Sequence, residues 1–248
     1  MKNIFALFLI LTTLLSCSDD KDCCVYPTTN VTLKFTHNWN GVEVTNQDFN
    51  QLKFTNKNGD KISIERLRYL ISNISLIGFQ NYQFIDVGEN FGNLLTIQNV
   101  NKGNFNLKFR FGFSNNNNTD GAYADLNSAS FNVPSMLGGG YHYMQFDGKY
   151  LDSNNETAGF NYHTIRAVDR TDPDNLILED TSFMVDLGDV AILNNTTIEI
   201  KMNIAEWFKN PNTWNLNELN TVLMPNFNAQ KMMSANGKTV FSLGEVSQ

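Results

Sequence analysis

Residues 31–39 read Val31-Thr32-Leu33-Lys34-Phe35-Thr36-His37-Asn38-Trp39. Val31, Leu33, Phe35, His37 and Trp39 alternate with Thr32, Lys34, Thr36 and Asn38. A period of two puts successive side chains on opposite faces of a strand, so one face is apolar and the other polar. The pattern recurs along the chain. Phe105, Leu107, Phe109, Phe111 and Phe113 alternate with Asn, Lys, Arg and Gly, and Ile198, Ile200, Met202 and Ile204 share a face. Residues 68–79 form a longer and more continuously apolar strand, suited to burial. Residues 141–150, 160–165 and 183–187 read as further strands. Asn, Asp and Gly punctuate the segments, because these residues favour turns. Many short strands with turn signals between them predict an all-β fold, mainly an antiparallel β-sandwich of Ig-like or jelly-roll-like type.

Helix signals come late. Residues 205–209 are stopped by Pro211. Leu216, Leu219, Val222 and Leu223 fit one helical face that ends at Pro225. Residues 227–235 predict another short helix, closed by Asn236-Gly237. No linker composition divides the chain, so residues 29–248 read as a single β-sandwich domain.

The N-terminus has a different character. Met1-Lys2-Asn3 precedes an apolar run from Ile4 to Leu15. One positive charge followed by about a dozen apolar residues is the pattern of a secretory signal. The run is too short to span a membrane, which takes roughly 20 residues. It ends in Leu14-Leu15-Ser16-Cys17, which resembles a lipobox. This predicts a signal peptide over residues 1–16, lipid on the Cys17 thiol, and a tether over residues 17–28. Ser18-Asp19-Asp20-Lys21-Asp22 resembles the acidic signal that sends some lipoproteins to the outer surface of Gram-negative bacteria. The expected location is the outer membrane, with the body held at the cell surface by its lipid. A solvated tether is the simpler alternative for the acidic stretch.

The net charge is −7, and the only charge in the segment to be removed is that of Lys2, so the mature chain is more acidic still. An acidic body argues against nucleic acid and against electrostatic binding to anionic lipid. Of the three cysteines, Cys17 takes the lipid, and Cys23 and Cys24 are neighbours near the tether. Adjacent cysteines bridge only with strain, so an intramolecular structural disulfide is not expected.

No Cys-x-x-Cys, His-Glu-x-x-His, phosphate loop or Gly-x-Ser-x-Gly is present, so no motif supports an enzyme. The chain has three histidines, His37, His142 and His163. His142 and Met144 are two apart in a predicted strand and so would share a face; imidazole and thioether together suit Cu(I). His163 lies about one hairpin further on, close enough to come opposite His142. His37, on the apolar face of the first strand, is a further candidate. The alternative for each is a half-buried, hydrogen-bonded strand histidine. Residues 114–125 collect Asn115, Asn116, Asn117, Asn118, Asp120 and Asp125, oxygen atoms that would suit Ca²⁺. Their spacing matches no EF-hand, and a polar loop is the simpler reading.

Several segments, in order, resemble the MbnP-like family of copper-binding proteins associated with methanobactin operons. Leu33-Lys34-Phe35-Thr36-His37-Asn38-Trp39-Asn40-Gly41 is similar to the family's opening strand and Asn-Gly turn. Leu67-Arg68-Tyr69-Leu70-Ile71-Ser72-Asn73-Ile74 is similar to its Leu-Ser-Asn strand. Phe109-Arg110-Phe111-Gly112-Phe113 with the Asn-rich loop, the segment Gly140-Tyr141 to Asp147-Gly148-Lys149-Tyr150, and Phe160-Asn161-Tyr162-His163 follow, with Trp207, Pro211, Met232, Asn236 and Phe241 near the end.

The resemblance implies a β-sandwich that holds copper through histidines, in some members with a tryptophan oxidised to kynurenine by a partner dihaem enzyme similar to cytochrome c peroxidase. His163 matches the family's strand histidine, and His142 lies beside its Trp-rich turn. Here Met136-Leu137-Gly138-Gly139 stand where the family often has tryptophan, and Thr164-Ile165-Arg166 follow His163 in place of Leu-Gly. Two functions follow as expectations. The first is an envelope-anchored lipoprotein that captures copper through His142 and His163, supported by Met144 and His37. The second is a metal-free adhesion or glycan-binding lipoprotein presenting aromatics such as Tyr82, Tyr123 and Trp214.

Overall fold

The structure is a computed structural model that describes residues 27–77, 82–172 and 174–248. The signal segment, Cys17, the acidic stretch and the Cys23-Cys24 pair lie outside the described residues. In chain order the strands are β1 (Thr28–Trp39), β2 (Val42–Glu43), β3 (Phe54–Thr55), β4 (Lys61–Ile62) and β5 (Arg66–Ser72). Then come β6 (Tyr82–Asp86), β7 (Leu94–Asn101), β8 (Gly103–Phe111), β9 (Met144–Leu151) and β10 (Thr157–Thr164). The last are β11 (Ala167–Asp169), β12 (Ile177–Glu179), β13 (Phe183–Ile192), β14 (Thr196–Asn203) and β15 (Phe241–Ser247). The helices are α1 (Ala124–Ser128) and α2 (Phe227–Gly237).

The opening strand behaves as its alternation predicts. Val31, Leu33, Phe35, His37 and Trp39 are buried. β1 ends where Asn40 and Gly41 both adopt positive φ, at 49° and 88°, which is the two-residue turn that suits a hairpin into β2. β1 lies inside a sheet ordered β15-β14-β1-β2, with β7 also pairing with β1. A second sheet runs β13-β8-β5-β9-β4-β3, with β6 on β5 and β10 on β9. The pairings are antiparallel except for one: β1 and β14 run parallel, Val31 opposite Thr196 and His37 opposite Met202. The all-β sandwich is therefore present, with one parallel seam inside it.

The inner faces meet in one core. Leu33, Phe35, Ile198 and Ile200 come from the first sheet, and Leu67, Tyr69, Phe109, Phe111, Met144 and Phe146 from the second. Trp207 and Phe208, on a 3-10 turn over Ile204–Phe208, plug one end of it. The outer face of the second sheet is also covered. Leu70 points outward and packs with Phe113, Leu126, Phe131 and Tyr141 from the long excursion between β8 and β9.

Two expected elements differ. The run from residue 68 stops at Ser72, because Asn73 takes φ 51° and turns the chain out of the strand. The helix expected across Leu216, Leu219, Val222 and Leu223 is replaced by successive turns. Asn215 accepts from the Asn217 amide at 3.0 Å and Asn220 from the Thr221 amide at 2.8 Å, side-chain bonds that compete with helical ones. Val222 has φ 56°, a left-handed conformation that no helix interior allows. Residues 227–235 do become helix, in α2, where Asn226 accepts from the Ala229 amide as N-cap.

Candidate metal centre

β9 and β10 form the hairpin expected around His163, but its register partner is Gln145. On β9, Met144 and Phe146 face the core, while Gln145 and Asp147 face outward. His163 is therefore on the outer face. His142 precedes β9, where the chain is already bending. Gly138, Gly139 and Gly140 all have positive φ, and a Cβ on Gly140 would lie 2.5 Å from the Asn118 Oδ1 atom that accepts from the Tyr141 amide. This crowded turn feeds the chain into β9 out of strict alternation, and His142 joins the outer side.

The two rings meet there. The centroids of His142 and His163 are 5.2 Å apart, edge to face at 84°. His142 is buried and its Nδ1 lies 2.9 Å from the Phe131 carbonyl oxygen. A carbonyl only accepts, and it lies nearer Nδ1 than the Gln145 Nε2 donor at 3.3 Å, so the hydrogen-bond network assigns the proton to Nδ1. Nε2 is then unprotonated, and it faces the Sδ of Met224 at 3.2 Å. Burial, with His163 nearby, lowers the His142 pKa to about 3, so the ring is neutral at neutral pH.

His163 is half-buried, and its Nε2 donates to Asp147 Oδ1 at 2.7 Å. Asp147 also accepts from Asn161 at 2.7 Å and pairs with Arg66 at 3.2 Å. Burial raises the Asp147 pKa, but His163, Asn161 and Arg66 together outweigh it and hold the carboxyl below its ordinary value. With Nε2 committed to Asp147, Nδ1 is the nitrogen of His163 left to bind. Each imidazole thus has one nitrogen held by an oxygen acceptor and one left over. That is how metal-binding histidines are oriented: the outer acceptor fixes the tautomer and strengthens the ligand.

Met144 and His37 do not join this pair. Met144 is fully buried in the core on the other face of β9, because the bend at residues 140–143 breaks the alternation that would have aligned it with His142. His37 is on β1 in the opposite sheet, its Nε2 3.0 Å from the Tyr69 hydroxyl. Its pKa is lowered to about 4 by burial. The thioether beside His142 is that of Met224, on the turn before Pro225 that leads into α2. No periodic pattern marked this residue; the nearest signal was the failed helix that precedes it.

Among the described residues no three His, Cys, Asp or Glu side chains converge as a metal-binding group. In the Asn-rich loop, Asn118 is engaged with Tyr141 and Asp125 accepts from the Tyr82 hydroxyl at 2.5 Å. Of the aromatics expected on a binding platform, Trp214 is fully buried and donates to the Leu219 carbonyl, while Tyr82 and Tyr123 are half-buried, with Tyr123 stacked on Phe113.

A family model described as MbnP matches residues 28–226. The chain belongs to the MbnP family. No curated protein and no solved structure matches it. The MbnP match takes in both outer-face histidines and Met224, and stops before α2 and β15. MbnP is a family associated with methanobactin and copper. The donor set fits that association: two imidazoles with second acceptors behind them suit a soft, low-coordinate ion better than one that demands many oxygens.

Proposed function

We propose that this chain is an envelope-anchored lipoprotein that binds copper as Cu(I) through His142 and His163, for copper capture or homeostasis. The observation that carries the proposal is the pair of imidazoles 5.2 Å apart between centroids, each with its other nitrogen hydrogen-bonded to an oxygen. Metal–nitrogen bonds of about 2 Å let two such rings share one ion. The acidic tether and the lipid on Cys17 would keep the site at the outer membrane, where copper enters. Asp147 serves to orient the His163 ring, and no nucleophile accompanies the pair among the described residues, so we read the site as one that binds and does not turn over. A dihaem partner is not required for this reading, because no tryptophan stands at residues 136–140 to be oxidised.

The test is a competition titration with a chromogenic Cu(I) chelator under anaerobic conditions. The mature protein should take up one Cu(I) per chain. His163→Ala and His142→Ala should each lower the affinity by about 100-fold or more, beyond the 10–100-fold seen when only an outer acceptor is lost. Affinity no better than that of an isolated surface histidine, or wild-type affinity retained in either variant, would reject the reading. A circular-dichroism melt of each variant separates loss of ligand from loss of fold.

A further inference from the structure

We infer that the Met224 thioether is the third ligand of this centre, making a His₂Met site in which the sulfur selects Cu(I) over Cu(II). The inference rests on the copper reading above and goes beyond it by naming a residue on a different element. Its basis is the contact between His142 Nε2 and Met224 Sδ at 3.2 Å. With the proton of His142 on Nδ1, toward the Phe131 carbonyl, Nε2 and the thioether are two electron-pair donors face to face. With the proton on Nε2, that nitrogen donates to the sulfur, and Nδ1 accepts from Gln145 Nε2 at 3.3 Å but meets the Phe131 oxygen at 2.9 Å. A soft cation between Nε2 and Sδ uses the first arrangement, accepting both lone pairs and leaving the Phe131 bond in place.

The surrounding chain holds Met224 in that place. Gln230, buried on α2, donates through Nε2 to the His163 carbonyl at 2.9 Å and to the Leu223 carbonyl at 3.1 Å. Its Oε1 accepts from the Ile165 amide at 2.8 Å. One side chain thus ties the strand that carries His163 to the residue before Met224. Leu223 itself is buried, and the adjacent Val222 is held at φ 56°, a conformation that a β-branched residue adopts only under constraint. The strained turn aims the thioether at His142. Soft sulfur with imidazole favours Cu(I), whereas Cu(II) prefers tetragonal nitrogen and oxygen ligands.

X-ray absorption on the Cu(I)-loaded wild-type chain tests this directly. A sulfur scatterer in the first shell beside two imidazole nitrogens is expected, and it should vanish in Met224→Leu. The Leu variant should also bind Cu(I) at least about tenfold more weakly, while its Cu(II) affinity changes much less. Leu keeps the volume and apolar character of the residue, so the melting temperature should hold. Wild-type protein that binds one Cu(I) through nitrogen alone overturns the assignment of Met224 and leaves the histidine site standing. Wild-type protein that binds no copper overturns both. A sulfur signal that persists in Met224→Leu assigns the sulfur to another residue and also overturns it.

Discussion

Between pH 7 and pH 4.5 the metal-free domain is expected to lose several kcal/mol of stability, most of it through two buried histidines. His37 has its pKa lowered to about 4 and His142 to about 3, in both cases chiefly by burial. In the unfolded chain both would titrate near 6.5. Below about pH 6.5 the unfolded state therefore binds protons that the folded state refuses, and stability falls as pH falls toward the folded values. Above pH 6.5 both states are neutral and the effect is gone. By linkage each histidine contributes about 2–3 kcal/mol of this loss at pH 4.5. The lowered carboxyl of Asp147 acts in the same direction but at lower pH, since it matters only as pH drops through the ordinary carboxylate range. Urea denaturation at stepped pH measures the slope. His37→Gln, which keeps an amide for the Tyr69 hydroxyl but does not titrate, should remove about half of it. A variant whose stability falls in parallel with wild type would show that His37 is not held neutral by the fold.

Gly148→Ala should be the most damaging small substitution in β9. A Cβ there would lie 2.1 Å from the Ser63 carbonyl oxygen and 2.7 Å from the Phe160 ring. The Ser63 backbone cannot simply move aside, because its amide donates to the Lys149 carbonyl at 2.7 Å. Phe160 is the register partner of Gly148 and is buried in the core. Overpacking against fixed backbone is expected to cost about 3 kcal/mol or more, the upper end for inserted methyl groups. Gly159→Ala, on the partner strand, is the control, since its Cβ meets nothing nearer than the Gly148 carbonyl at 4.0 Å. Guanidinium denaturation of both variants decides the matter; a loss under about 1 kcal/mol for Gly148→Ala would mean that the strand yields more easily than its bonding suggests. Because Asp147 precedes Gly148 and fixes His163, the surviving folded fraction should also bind Cu(I) more weakly.

The period of two in β1, β8 and β14 was legible because one face of each strand is packed and the other is not. The partner choice was less so. Nothing in residues 31–39 shows that β14 lies alongside them in parallel, since pairing over that distance depends on the whole core. His142 and His163 could be singled out because histidine is scarce and a hairpin joins their neighbourhoods. Their meeting on the outer face could not be read, because it depends on three left-handed glycines that break the alternation before Met144. Met224 lay beyond pattern altogether. It occupies an irregular turn whose shape is set by the side-chain bonds of Asn215, Asn220 and Gln230, and tertiary contacts of this kind leave no periodic trace.

The parallel seam between β1 and β14 also has a consequence for the order of assembly. β1 emerges during synthesis long before its neighbour on that side, which begins at Thr196. The first sheet therefore cannot close until most of the polypeptide is available, and its long-range closure makes folding slow. During that interval one edge of β1 has its backbone groups unpaired. A chain delivered across a membrane as an unfolded thread would need that open edge shielded until β14 arrives.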